Sequence, residues 1–488
     1  MRDLILVLDE GTTSTRAMLF DAAGKPHGVA QQELTQHYPR PGWVEHDAAE
    51  IWQKTFACAH GLIVEAGGAE RIAGIGITNQ RETVVAWDRT SGEPLARALV
   101  WQDRRTAAFC AELKEAGHEE AVRQATGLLL DPYFSATKMH WLLANERAVT
   151  EAAQKGTLAF GTMECWLTYK LTGAHVSDAG NASRTLLLAL DGATWDAGLC
   201  ELFGVPRAAL PEIVDSIGPV GTTTLFGRPI PVVGLAGDQQ AATIGQGCLA
   251  RGETKATYGT GAFVLANEGR AIPHSAHRLL GTVLYQLSGT RTYALEGSVF
   301  VAGSFIQWLR DALGLIASSA ETEALARSVP DSGGVVVVPA LSGMGAPHWR
   351  PSARGLITGL SFATGKAHIG RATLQAMAHQ TRDLATAFAA DGAKWKELRI
   401  DGGMAANDWM AQDIADVTGL TVTRPEFVET TALGAAMLAA VGAGLHPSLE
   451  AAAPAMIGTV RRFEPRMSED ERQARITAWN EALAAVAG

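Results

Sequence analysis

Short turns of Gly, Thr and Ser at strand ends can cradle phosphate oxygens, and this chain carries two. One reads Asp9-Glu10-Gly11-Thr12-Thr13-Ser14, with Arg16 just beyond; the other reads Tyr258-Gly259-Thr260-Gly261. Small residues leave backbone N–H groups unobstructed and the hydroxyls add donors, which suits a polyphosphate. Either turn alone reads equally well as a plain hairpin turn. Two of the same chemistry, with Asp9 at a strand end, favour an ATP cleft between two domains. Asp9 is a candidate partner for Mg²⁺, which takes carboxylate, water and phosphate oxygens together. Arg16 could meet phosphate charge or be an ordinary exposed strand arginine.

Other strand ends carry groups suited to a hydroxylated substrate. In Asn79-Gln80-Arg81-Glu82-Thr83, Glu can accept and Arg donate hydrogen bonds to vicinal hydroxyls, although a solvated ion pair has the same pattern. Trp101 and Tyr133 could supply an apolar wall and a phenol, or be core. In Gly237-Asp238-Gln239-Gln240 a carboxylate at a Gly-hinged strand end can act as a base on a hydroxyl, or merely cap the backbone. His46 with Glu45, Asp47 and Glu50 reads as a helix start with Asp47 as N-cap rather than a metal site. Three near matches fail. Gly359 to Lys366 is one residue too long for a P-loop, and Ala367 replaces its Ser/Thr; Gly74-Ile75-Gly76 lacks a third glycine; Gly359 to Ala363 misses a nucleophile elbow at its last residue.

These residues need elements to hold them. Leu4 to Leu8 reads as a strand entering the first turn, and Ala17 to Phe20 as a strand leaving it, so the first turn joins a hairpin rather than opening a helix. A helix is predicted over Ala48 to Glu65 and a strand over Ile72 to Thr78. The cassette returns at Glu253 to Thr257 and Ala262 to Ala266, with strands at Val232 to Leu235 and Leu398 to Ile400. Helices are predicted at Val299 to Leu313, Lys366 to Ala389, Asp408 to Thr418 and Ala432 to Val441. The repetition predicts two related α/β domains, 1–249 and 250–488. A chain of 488 residues agrees, being too long for one ordinary core.

Bulk properties exclude some classes. Lys+Arg 41 against Asp+Glu 51 gives a net charge of -10, against the basic stripe a nucleic-acid binder needs. The apolar start, Leu4 to Leu8, is too short for a signal-peptide core, and Ala432 to Leu445 is too short to span a bilayer. Cys58, Cys110, Cys165, Cys200 and Cys248 show neither CxxC nor zinc spacing and read as reduced core thiols. A cytoplasmic protein without a membrane span is expected.

At these positions the chain resembles the FGGY carbohydrate kinases, from Leu4 to about Gly444. The most specific stretches are Asp9 to Arg16, Asn79 to Thr83, Asp131 to Lys138, Gly237 to Ala241, Tyr258 to Phe263 and Asp401 to Asn407. One family signature falls on Tyr133 to Leu142, departing at Ala144, where an acidic or polar residue would follow. The other falls on Gly355 to Gln375, with Gly359 and His368 in place. The resemblance implies two actin-like (ribonuclease H-like) domains closing over ATP, with Mg²⁺, and transfer of the γ-phosphoryl group to glycerol, giving sn-glycerol 3-phosphate. By that resemblance Thr12, Thr13, Ser14, Arg16, Thr260, Gly303 and Gln307 match phosphate-side positions. Gly403 and Asn407 match the nucleotide site of the second domain. Arg81, Glu82, Tyr133, Asp238 and Gln239 match glycerol contacts, with Trp101 and Phe263 as apolar walls. Asp238 matches the catalytic base and Asp9 the metal-side carboxylate. Glu10 stands where family members acting on glycerol commonly carry Gln, and is expected to add negative charge beside the phosphate turn. Family analogy implies a homo-oligomer, dimer or tetramer. The rival acceptors are longer polyols or ketoses; a more distant rival is an actin-like ATPase serving as a scaffold, which has no use for Asp238 beside a polyol pocket.

Overall fold

A strand apolar at every position is one covered on both faces. In the computed structural model, which describes residues 2–350 and 352–486, Leu4–Glu10 is buried throughout, inside a six-stranded sheet. The sheet order is Ile217–Thr223, Ile230–Gly237, Ile72–Asn79, Leu4–Glu10, Ser14–Asp21, Pro26–Glu33. Leu4, Leu6 and Leu8 share a core with Ile51, Leu62 and Ile63 of the Ala48–Glu65 helix. Ile5 and Val7 belong to a different core, with Ala435, Ala436 and Ala439 of the Thr430–Gly442 helix. The period of two in a strand thus splits one apolar run between two layers. The expected hairpin is present, Leu4–Glu10 pairing antiparallel with Ser14–Asp21 and placing Asp9 opposite Arg16. Asp47 caps its helix, accepting from the amides of Ala49 (2.9 Å) and Glu50 (3.2 Å).

A seven-stranded sheet repeats the plan, in the order Leu280–Leu287, Thr290–Val299, Ala262–Gly269, Glu253–Tyr258, Glu397–Asp401, Val422–Pro425, Val460–Phe463. Each sheet has a hairpin whose first strand also pairs in parallel with a strand from later in the chain. The helix predicted from Val299 is corrected: Thr290–Val299 is a strand, and the helix is Gly303–Asp311. The apolar run Val299-Phe300-Val301 has no period of its own, and pairing with Ala262–Gly269 decides its start. All five cysteines are buried and unpaired. Among the described residues no helix is long and apolar enough to cross a membrane.

The Thr430–Gly442 helix comes late in the chain yet packs on the first sheet and against the Asp238–Gly245 helix. Close approach explains two glycine groups. A Cβ on Gly76 would collide with the Ala435 carbonyl, so the Gly74-Ile75-Gly76 run that fails as a nucleotide fingerprint serves helix-on-sheet packing. Where the two helices cross, a Cβ on Gly434 would overlap the Ala241 carbonyl, and one on Gly245 the Thr430 carbonyl. Backbone cannot yield there as a flexible side chain would. Gly434→Ala should therefore cost about 1–3 kcal/mol of stability in a denaturant titration. Gly61→Ala, in a helix with open space around the new methyl, should stabilise by up to about 1 kcal/mol. Equal effects at the two positions would show that the crossing is not tightly packed.

Candidate active site

Ile72–Asn79 and Ile230–Gly237 run in parallel with Asn79 opposite Gly237, so residues 80–83 and 238–240 leave the sheet at one edge. Arg81 and Glu82 are 3% and 1% exposed, which rules out a solvated pair. Nor are they chiefly each other's partners. Arg81 donates two bonds to Glu296 (2.6 and 3.0 Å), while its Nε lies 3.4 Å from Asp238 and 3.9 Å from Glu82. Glu82 accepts from Arg184 Nε at 2.7 Å, and Arg184 also reaches Glu296 at 3.2 Å. Two arginines and two glutamates form one buried knot, with Glu296 supplied by the second sheet. Burial pushes the Glu296 carboxyl up, but Arg184 and Arg81 outweigh it and hold it at about 2. For Glu82 burial outweighs the arginines, and Glu296 adds to it, so its carboxyl is raised.

Glu82 also carries backbone strain. Its φ is +63°, and the Thr83 N–H donates to the Arg81 carbonyl (2.8 Å), closing a tight turn around it. A non-glycine residue in this region costs on the order of 1–3 kcal/mol and persists only where its surroundings enforce it. Here the Ser135 hydroxyl, at the start of the Ser135–Asn145 helix, donates to the Glu82 carbonyl (3.0 Å).

Asp238 opens the Asp238–Gly245 helix, and its Oδ1 accepts the Gln239 N–H (2.7 Å), the cap the sequence allowed. Its side chain is nonetheless 35% exposed. Burial raises its carboxyl, Arg81 and Lys255 oppose this, and Asp9 adds to it. Lys255 comes from the second sheet, fully buried, donating to Gln239 Oε1 and to Thr257 Oγ1 (2.8 Å). Burial lowers its ammonium to about 8, against the pull of Asp401 and Asp238. The Trp101 and Tyr133 rings meet edge to face at 5.6 Å, and Trp101 Nε1 donates to Thr12 Oγ1 (2.9 Å), tying this wall to the phosphate turn. Phe263 is half-buried on Ala262–Gly269, opposite Thr257.

In the first turn Thr13 is exposed, Thr12 and Ser14 are partly so, and the Gly11 N–H bonds the Ser14 carbonyl (3.0 Å). Arg16 is not a free cation: it pairs with Asp9, and with Glu429 at 2.6 Å. Burial raises the Asp9 carboxyl against the pull of Arg16, and Glu429 adds to the rise. The expectation for Glu10 is corrected. Strand alternation turns it away from Asp9, to a position 0% exposed, where Thr55 donates to it (3.0 Å). Burial pushes its carboxyl up to about 8, so at neutral pH it is chiefly an uncharged acid.

The second turn lies close to a helix start. The Thr260 carbonyl accepts from the Ala302 and Ser304 amides (2.9 and 3.1 Å), next to Gly303. Thr260, Gln307 and Gly403 are exposed. Asn407 also has a local task, capping the Asp408–Thr418 helix through the Met410 amide (2.9 Å) and donating to Thr322 (3.3 Å). Sequence reasoning missed Arg184, Glu296 and Lys255. The signal for the last two was a charge inside a half-apolar strand, which is rarely buried without a partner.

Residues 4–245 match the model of the FGGY family of carbohydrate kinases, N-terminal domain, and residues 254–443 its C-terminal domain. Among curated proteins the chain is 52% identical to a glycerol kinase of Rhodospirillum rubrum, covering 99% of both chains. It is 53% identical to a glycerol kinase of Dechloromonas aromatica, covering 98% of this chain and 96% of that one. Among solved structures, a Plasmodium falciparum glycerol kinase with ADP superposes with a TM-score of 0.94 at 33% identity, over 99% of this chain and 98% of that one. A xylulose kinase from Rhodospirillum rubrum gives 0.86 at 25%, with the same coverage.

The knot predicts a large effect of a small change. Glu296→Gln leaves two buried arginines without their shared carboxylate, at a cost on the order of 3–5 kcal/mol in a urea titration. Glu151→Gln, which breaks an exposed pair with Arg147, should leave the midpoint unmoved; equal effects would refute the knot as a structural unit. Glu10 predicts a pH dependence. Its native pKa of about 8 lies above the ordinary carboxylate range, so between the two values the native state holds more protons and its stability falls as pH rises. Glu10→Gln should remove that slope, and its stability advantage should grow from about pH 5 to about pH 8. Parallel stability curves would mean that Glu10 ionises freely.

Proposed function

The chain belongs to the FGGY family of carbohydrate kinases, and we propose that it transfers the γ-phosphoryl group of ATP to a terminal hydroxyl of glycerol, giving sn-glycerol 3-phosphate and ADP. The observation that carries this reading is Asp238. It is an accessible carboxylate at the cleft edge, flanked by Arg81 and Lys255, with the Trp101–Tyr133 wall tied to the phosphate turn beside it. Asp238 would orient the attacking hydroxyl and take its proton as the new P–O bond forms and the bond to the ADP oxygen breaks. Glu82 would accept from a neighbouring hydroxyl. Gln239 and Tyr133 complete the polar contacts, and Trp101 and Phe263 face the carbon chain. Glu296 holds the end of the Arg81 guanidinium through both terminal nitrogens, which leaves the Nε side toward Asp238.

Thr12, Thr13 and Ser14 would hold phosphates from one side, and Thr260, Gly303, Gln307, Gly403 and Asn407 the nucleotide from the other, between domains 1–249 and 250–488. Arg16 would act through Asp9. Asp9 fits Mg²⁺: its carboxylate is buried and near enough to Asp238 to raise the Asp238 carboxyl. Mg²⁺ takes one or two carboxylates with water and phosphate oxygens, so Asp9 would be its protein ligand. When bound, the ion would neutralise charge on the phosphate oxygens. The same reading makes the protein a cytoplasmic homo-oligomer, dimer or tetramer, which light scattering would check.

Asp238→Asn keeps shape and acceptor but removes the base, so kcat should fall by about 10²–10⁴-fold, toward the lower end if the transition state is loose. Melting temperature and ATP-analogue binding should change little. A variant that melts several degrees lower yet keeps near-normal kcat would make Asp238 structural. On a panel of glycerol, longer polyols and ketoses, glycerol should give the highest kcat/KM; a longer acceptor preferred would replace it in this reading.

A further inference from the structure

His46, which the sequence places at a helix start, has no part in the site described above, yet both of its ring nitrogens reach residues that hold the first glycine turn. Four successive carbonyls of that turn each accept a hydrogen bond. Glu10 accepts from the Gln80 N–H (2.7 Å), Gly11 from Gln80 Nε2 (3.0 Å), Thr12 from Gln36 Nε2 (2.8 Å) and Thr13 from the Leu34 N–H (2.8 Å). In a planar trans peptide the N–H points opposite to the carbonyl that precedes it. Tying the Gly11 and Thr12 carbonyls to Gln80 and Gln36 therefore turns the Thr12 and Thr13 N–H groups away from those glutamines. Neither N–H has a partner among the described residues. Two successive free amides of this kind make a cradle for an anion.

Both glutamine amides are oriented by what surrounds them. Gln80 Oε1 accepts from the Thr83 hydroxyl (2.9 Å), which leaves Nε2 for the Gly11 carbonyl and for His46 Nδ1 (3.4 Å). Gln36 Nε2 donates to the Thr12 and Leu34 carbonyls, the latter at 3.3 Å, so Oε1 is the atom at His46 Nε2 (2.9 Å). A carbonyl can only accept, so flipping either amide would set two acceptors against each other. His46 then carries its proton on Nε2 and none on Nδ1. Burial lowers its imidazole to about 4, with His37 adding to this and Glu50 opposing it, so the ring is neutral at neutral pH. A neutral ring offers one donor and one acceptor, which is what a bridge between these two glutamines requires.

We propose, resting on the reading of the first turn as a phosphate site, that His46 is a positioning residue for the nucleotide: by bridging Gln36 and Gln80 it fixes the Gly11 and Thr12 carbonyls and so aims the Thr12 and Thr13 amides at a phosphate. It acts through the two glutamines rather than by touching the ligand. The test is calorimetric titration of the full chain with a non-hydrolysable ATP analogue and magnesium, beside a melting curve for each variant. His46→Phe keeps a flat ring but neither hydrogen bond, and Gln36→Met, at a half-buried position, releases the Thr12 carbonyl. Each should raise the Kd of the analogue at least about tenfold. His46→Gln, which keeps one donor and one acceptor, should recover most of the loss. A merely structural role would lower the melting temperature and the number of sites titrated, but leave the Kd of the folded fraction unchanged. A Kd in Gln36→Met within about twofold of the parent protein, or His46→Gln binding as weakly as His46→Phe, would overturn the role of His46 alone. A parent protein that binds no analogue would overturn the nucleotide reading of the turn and the role of His46 with it.

Discussion

The bidentate bond from Arg81 to Glu296 joins the two sheets, and much of the candidate site depends on it. Arg81 follows a strand of the first sheet and Glu296 lies within a strand of the second. A buried pair of this kind adds little net stability over an apolar substitute, but breaking it leaves an uncompensated charge. It therefore acts as a geometric constraint. With both terminal nitrogens committed, the Arg81 side chain is fixed, and its Nε is set toward Asp238. Arg184, shared between Glu82 and Glu296, fixes Glu82 in turn. The strained turn at Glu82 persists because this knot and Ser135 hold it from two sides.

A second constraint works at the other end of the same elements. The Asp238–Gly245 helix begins with Asp238 and ends at Gly245, where it crosses the Thr430–Gly442 helix at near backbone contact. Glu429, next to the start of that second helix, reaches Arg16 at the phosphate turn. One helix pair thus sets both Asp238 and the charge balance at Asp9.

The fold itself is shared with a solved kinase named for a different acceptor. A xylulose kinase shares the fold over nearly the whole chain at a quarter of the sequence. The two sheets and their hairpin turns are the common frame. On the function proposed above, selection of a particular acceptor would fall to a few side chains, namely the Trp101–Tyr133 wall, Glu82 and Phe263.

Much of this was legible in the sequence because it rests on local rules. The apolar run at Leu4–Leu8, the glycine turns, the Asp47 cap and the repeated cassette follow from period, propensity and turn chemistry, and the family resemblance rested on the same short stretches. Partners distant in sequence were not legible. Arg81 beside Glu82 reads as a pair, yet their main partners, Glu296 and Arg184, lie over a hundred positions away. Glu10 reads as a charge at a phosphate turn, and only the alternation of a strand covered on both faces turns it inward, where burial keeps it protonated. The start of the helix after Val299 was decided by a neighbouring strand. Residue type and local spacing determined which groups were present and where the chain would turn. Which charges met, and in what state of ionisation, depended on long-range pairing and desolvation, which only the tertiary structure supplies.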